Sequence, residues 1–146
     1  MPTVKRTARV QYTPEQMFDL VNDVESYPKF LHWCRGARID ARYGNTIEAT
    51  LDIGMLGFQQ SFRTRNTLAR PERIGIDLVS GPFRRLRGEW RFGAAQGGGT
   101  EISLTLSFEV TLSPFGIVFA KVFEELAASQ MTAFTARAKI VYGAPT

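Results

Sequence analysis

The stretch "IVFAKVFEELAASQMTAFTARAKIVY", residues 117–142, contains neither glycine nor proline. Within it Phe119, Phe123, Leu126, Ala127, Met131, Phe134, Ala138 and Val141 recur at helical spacing, so one face is apolar. The pattern predicts a single amphipathic helix of about 40 Å at roughly 1.5 Å per residue. Such a helix has to bury its stripe against another layer, and the residues before it say which.

Upstream, apolar and polar residues alternate with period two. "ARIDARY" places Ala37, Ile39, Ala41 and Tyr43 on one face. "TIEATLDI" turns Ile47, Ala49, Leu51 and Ile53 inward and Glu48, Thr50 and Asp52 outward. "FQQSFRTRNTL" turns Phe58 and Phe62 inward with Gln60 and Thr64, and Arg63 and Arg65 outward. Ile74, Ile76 and Leu78 alternate next, then Leu86, Gly88, Trp90 and Phe92, then Ile102, Leu104, Leu106, Phe108 and Val110. Clean alternation of this kind predicts an antiparallel sheet with one wet face.

Near the start, "TVKRTARV" reads as another strand. In "TPEQMFDLVNDV", Thr13 serves as N-cap and Pro14 as first helical residue, and Met17, Phe18, Leu20 and Val21 form the stripe. "SYPKFL" reads as a second short helix capped by Ser26. The order is strand, two short helices, six strands and one long helix. The fold class is therefore α+β: a curved antiparallel sheet of about seven strands wrapped around the C-terminal helix. No repeat or linker divides residues 1–146, which form a single domain.

Composition excludes several classes. One cysteine permits no internal disulfide. The N-terminus lacks an apolar signal segment, and no stretch approaches the roughly 20 apolar residues of a membrane span. A cytoplasmic protein, soluble or peripheral to the inner membrane, is expected. The net charge is +4, but residues 63–91 carry eight Arg against three acids, a local net of +5. The remainder of the chain sums to −1. The excess is arginine, whose planar fork suits phosphates and carboxylates, so RNA, an anionic lipid headgroup or an acidic partner would fit it.

Three segments resemble a known group: "VNDVESYPKFLHWC" at 21–34, "FRTRNTL" at 62–68 and "GPFRRLRGEWRF" at 81–92. Together with the element order they are similar to the START-like, helix-grip superfamily. Within it they resemble the family that includes coenzyme Q-binding START-like proteins and the bacterial ribosome association toxin. That family usually has proline where this chain has His32. The resemblance implies a non-enzymatic binding module. It would hold a polyprenyl quinone or related lipid between sheet and helix, in support of respiratory quinone function. The alternative it implies is association with the large ribosomal subunit, blocking subunit joining. A weaker one is aromatase or cyclase activity, as in other helix-grip proteins.

The candidate site residues follow. Phe30, Trp33, Phe62, Phe83, Trp90, Phe108, Phe119, Phe123 and Leu126 face the sheet–helix interface, and apolar pockets with a few polar groups are how small hydrophobic ligands are held. Gln60 and Thr64 fall on the same face and are placed to bond a ligand carbonyl. His32 and Cys34 have no third group to make a catalytic set, and they fall short of a metal's ligand set. No catalytic residue, metal or cofactor is expected, apart from a bound quinone or lipid. "GMLG" at 54–57 presents Met55 and Leu56 at a loop tip, as a cavity lid or a membrane insertion would. Glu48 pairs with Arg63 across the hairpin. Arg84, Arg85 and Arg87 have only Glu89 nearby and are the candidates for phosphate binding.

Overall fold

Strands joined by short turns lie beside their predecessors, and here a run of six strands is built that way. The computed structural model describes residues 2–144. The strands are β1 (Thr3–Val10), β2 (Cys34–Tyr43), β3 (Thr46–Met55), β4 (Phe58–Ala69), β5 (Arg73–Ser80), β6 (Arg85–Ala94) and β7 (Thr100–Glu109). Helix α1 is Pro14–Asn22, a 3-10 helix covers Val24–Lys29, and α2 is Pro114–Tyr142. The sheet order is β1-β7-β6-β5-β4-β3-β2, antiparallel throughout. The first strand thus pairs with the last, and α1 and the 3-10 helix carry the chain from one sheet edge to the other.

α1 starts as its sequence requires. The Thr13 hydroxyl accepts from the Gln16 amide at 3.1 Å, and the Gln16 side chain accepts from the Thr13 amide at 2.9 Å. Met17, Phe18, Leu20 and Val21 are buried. On its outer side, Asp19 accepts two hydrogen bonds from Arg70, at 2.8 and 2.9 Å. Ser26 is not a cap. It lies inside the 3-10 helix, which Asp23 precedes, and its hydroxyl donates to the Asp23 carboxylate at 2.6 Å.

α2 begins three residues before the glycine-free stretch. Ser113 caps it by accepting from the Gly116 amide at 3.0 Å, with Pro114 in the first turn, where no N–H is missed. Gly116 is required there because a Cβ would collide with the Thr111 carbonyl oxygen. Phe119, Phe123, Leu126, Ala127, Met131, Phe134 and Ala138 are buried against the concave face of the sheet. Val141 departs from the expected stripe and is exposed, as the helix runs off the sheet.

One irregularity changes faces. Ile39 pairs with Ala49, but Ala41 pairs with Glu48, so Asp40 is an extra residue in β2. A single inserted residue reverses the alternation beyond it. Ala41 and Tyr43 therefore lie on the convex face and not with Ala37 and Ile39. The Tyr43 hydroxyl donates to Glu48 Oε2 at 2.6 Å, and Arg63 reaches Glu48 Oε1 at 2.8 Å, as the hairpin register predicts. Arg65 approaches the same carboxylate at 3.4 Å. Glu48 and Thr50 point outward as expected, yet this polar layer buries both.

The same layer sets the acid response. The Tyr43 hydroxyl, with Arg63 and Arg65, holds the Glu48 carboxyl below its ordinary range. Arg70 does so for Asp19, and Arg91 with Arg73 for Glu89. Depressed carboxyls bind fewer protons folded than unfolded. Their stabilisation is therefore complete above the ordinary carboxylate range, near 4 to 4.5, and is lost as the pH falls toward the folded values. The urea midpoint should stay flat near neutrality and decline below about pH 4.5. Glu48→Gln should make that decline shallower, as urea titrations at a series of pH values would show.

Candidate functional site

The aromatic side chains along α2 form two groups separated by about three turns of helix. At the N-terminal end, Phe83 packs against Phe123 (ring centroids 4.7 Å), Phe119 (5.4 Å) and Phe62 (5.7 Å), and Phe108 against Phe123 (4.9 Å). Toward the other end, Phe134 meets Trp90 and Phe30 at 5.2 Å each and Tyr27 at 5.3 Å. Between them α2 carries Leu126, Ala127 and Gln130, and the facing strands carry Ala49 and Thr64. Side chains of this size do not fill the gap, and a cavity of about 80 Å³ remains.

Trp33, Phe62, Thr64, Trp90, Phe123 and Leu126 line this cavity. Phe83, Phe108 and Phe119 do not; they are buried in the first aromatic group. Phe30 is half-buried outside the lining, with the Arg137 guanidinium 5.1 Å above its ring. Gln60 is also absent from the lining. It pairs with Ile53 next to the β3–β4 turn and borders an open surface depression with Arg35 and Leu56.

The polar groups of the cavity are partly different from those expected. The Thr64 hydroxyl donates to Asn66 Oδ1 at 2.9 Å, so it is satisfied within its own strand. Trp33 Nε1 and Gln130 Oε1 are buried without a partner. Unpaired buried polar atoms are rare and call for an explanation. Asn66 was legible as the next inward position after Thr64. Gln130 was legible too, as a polar residue in an apolar stripe, four residues after Leu126 and four before Phe134.

Acid–base chemistry finds no purchase here. Among the described residues, Tyr27 is the one titratable group of the lining. Its hydroxyl donates to the Val21 carbonyl at 2.5 Å, and burial raises its pKa. The Cys34 thiol donates to the Gly36 carbonyl at 3.2 Å, and burial pushes it up to about 11. His32 is exposed in a turn closed by the Cys34 amide on the Leu31 carbonyl at 2.9 Å, so the turn forms without proline. Among the described residues, no three His, Cys, Asp or Glu side chains converge as metal ligands would. Nor is any helix there long and apolar enough to cross a membrane.

The convex face carries the charge. Arg84 and Arg85 do not rely on Glu89: they flank Glu109 at 3.6 and 4.0 Å, and Arg87 stands 3.5 Å from Asp77. Their side chains are 61%, 74% and 82% exposed. Glu89 sits instead between Arg73 and Arg91, at 2.6 Å from each. Three glutamates on this face are thus bracketed by two arginines each: Glu48, Glu89 and Glu109. Each of these trios, counted by itself, keeps one net positive charge.

Residues 10–135 match the family model described as polyketide cyclase / dehydrase and lipid transport. The chain belongs to this family. It is 44% identical over 144 residues to the ribosome association toxin RatA of Escherichia coli K12, covering 99% of this chain and 91% of RatA. It is 24% identical to the mitochondrial coenzyme Q-binding protein coq10 of Schizosaccharomyces pombe, covering 88% and 82%. Among solved structures, a START superfamily protein from Mycobacterium smegmatis aligns with TM-score 0.80 at 24% identity, over 95% of this chain and 98% of that one. The Zhui aromatase/cyclase from Streptomyces sp. R1128 aligns with TM-score 0.83 at 16% identity over 99% of each. These two alignments establish the START-like fold. The relatives named for binding are those that resemble the chain in sequence.

Cys34 should behave as an inert core thiol. Raising its pKa from 9.0 to about 11 lowers the thiolate fraction near neutral pH by about a hundredfold. Its reaction with a disulfide reagent should be markedly slower than that of a small free thiol, and should accelerate on unfolding in urea.

Proposed function

We propose that the protein associates with the large ribosomal subunit through the convex face of its sheet, arginine to RNA phosphate, and blocks subunit joining. The observation that carries this reading is the 44% identity to a ribosome association toxin over nearly the whole chain. The geometry supports it. Three arginine pairs each hold one glutamate and keep one net positive charge, across strands β3 to β7. Arginine forks of this kind are ordered by their acids and still present donors to phosphate oxygens.

A second reading is an apolar ligand, a polyprenyl quinone or lipid, in the cavity. The unpaired Trp33 Nε1 and Gln130 Oε1 favour it, because they would meet a carbonyl and a hydroxyl of a bound molecule. The volume weighs against it. About 80 Å³ is smaller than the roughly 150 Å³ that admits benzene, so a quinone ring enters only if α2 shifts from the sheet. Cyclisation has less support, since the lining offers neither an acid nor a base active near neutral pH.

The ribosome reading is tested by changing Arg84, Arg85 and Arg87 together to Gln. The pairs they make are exposed and worth about 0–1 kcal/mol each, so the fold should survive. Co-sedimentation with large subunits should drop sharply. The slope of log affinity against log salt should flatten by about 0.7 to 0.9 for each phosphate that is no longer neutralised. Undiminished co-sedimentation of the folded triple variant would overturn the reading. For the cavity, Leu126→Trp should fill the gap and abolish retention of any co-purifying lipid seen by native mass spectrometry. If protein from its own host carries no lipid, the ligand reading fails.

A further inference from the structure

One end of the molecule exposes large apolar side chains from two separate segments. The β3–β4 turn presents Leu56, 73% exposed. The β7–α2 connection and first turns of α2 present Leu112, 87% exposed, with Phe115, Ile117 and Val118. The two segments are fixed to each other: Phe58, just after the turn, packs on Phe115 at 5.3 Å and on Phe119 at 5.8 Å. They form a single apolar projection and not two independent loops.

Leu56 has φ 50° and is the one residue besides glycine with a positive φ among those described. That left-handed conformation is normally given to Gly, Asn or Asp. Leucine there serves neither the turn nor the core, so its side chain is displayed at a cost to the backbone. Cations surround the projection. The Arg35 side chain lies against Gly54 on the approach to the turn. Arg84 follows Phe83, which packs on Phe119 at 5.4 Å. Lys121 is exposed one turn beyond Ile117 and Val118, on the same side of α2. Of the nearby acids, Glu109 is held by Arg84 and Arg85 and Asp52 by Arg38 and the Ser61 hydroxyl, while Glu124 and Glu125 are exposed one turn beyond Lys121, farther from the apolar end.

We propose that this end docks on an anionic lipid bilayer. Leu56, Leu112 and Phe115 enter the headgroup–acyl boundary, and Arg35, Arg84 and Lys121 contact lipid phosphates. An apolar projection ringed by cations matches a surface that is apolar beneath and negative above. This end adjoins the convex face assigned above to RNA, and Arg84 borders both.

The test uses the full-length protein and sedimenting vesicles of phosphatidylcholine, with and without phosphatidylglycerol. The protein should sediment with the anionic vesicles, and salt should weaken the binding. Leu56→Asn suits the left-handed turn, so it should leave thermal stability equal or higher while weakening binding on the order of tenfold. Phe115→Ser should weaken it similarly. Arg35→Gln and Lys121→Gln should each weaken binding about fivefold on anionic vesicles only. Failure to sediment with anionic vesicles would overturn the proposal. So would binding that is indifferent to Leu56→Asn, or self-association in light scattering that Leu56→Asn abolishes, since the projection would then be an interface between copies of the chain.

Discussion

Everything in this molecule depends on the burial of one helix face in the concavity of one sheet. The sheet's inner surface is almost wholly apolar, and seven strands of it would be exposed without α2. Phe119, Phe123, Phe134 and Leu126 are all 3% exposed or less, and burying each contributes about 1.5–3 kcal/mol before the cost of ordering the chain. The attachment is strongest in two places, where aromatic rings from sheet and helix interdigitate. Between them the residues are small or polar, and packing cannot close the space. The cavity is a consequence of how the two aromatic groups are spaced along α2.

That arrangement was legible in the sequence where a period was clean. A glycine-free apolar stripe gave α2, and alternation gave six of the seven strands and most of the inward residues. It failed where a single residue breaks the period. Asp40 is an insertion that no pattern announces, and it moves Ala41 and Tyr43 to the other face. There Tyr43 becomes the hydroxyl that positions Glu48. Facing inward also did not mean facing the cavity. Gln60 has the right parity but lies too near the hairpin end, whereas Gln130 is central, a polar residue within the apolar stripe of α2. Parity fixes which face a side chain occupies; its height along the sheet is set by tertiary packing, which the period does not encode.

The charge pattern shows a similar limit. The arginine excess at 63–91 was plain, and so was the Glu48–Arg63 pair across a hairpin, but the partners of Arg84, Arg85 and Arg87 were not, because they come from other strands. Glu109 and Asp77 lie next to Arg85 and Arg87 only through pairing of β6 with β7 and β5. Adjacent Glu89 is taken by Arg73 and Arg91. Cross-strand neighbours, not sequence neighbours, decide which arginines are spent on the fold.

The alternation of strands also explains how one architecture serves relatives named for a ribosome, a quinone and a cyclisation. In a sheet with one buried face, inner and outer residues are interleaved in sequence but separated in space. The inner set must match α2 and determines whether a cavity exists and what lines it. The outer set is free of that constraint and can gather charge without disturbing the packing of the core. In this chain the inner set leaves a cavity of about 80 Å³ whose one titratable group, among the described residues, is Tyr27. The outer set includes three glutamates, each between two arginines. The shared fold says little about function, and the convex face is free to differ between relatives while the core stays packed.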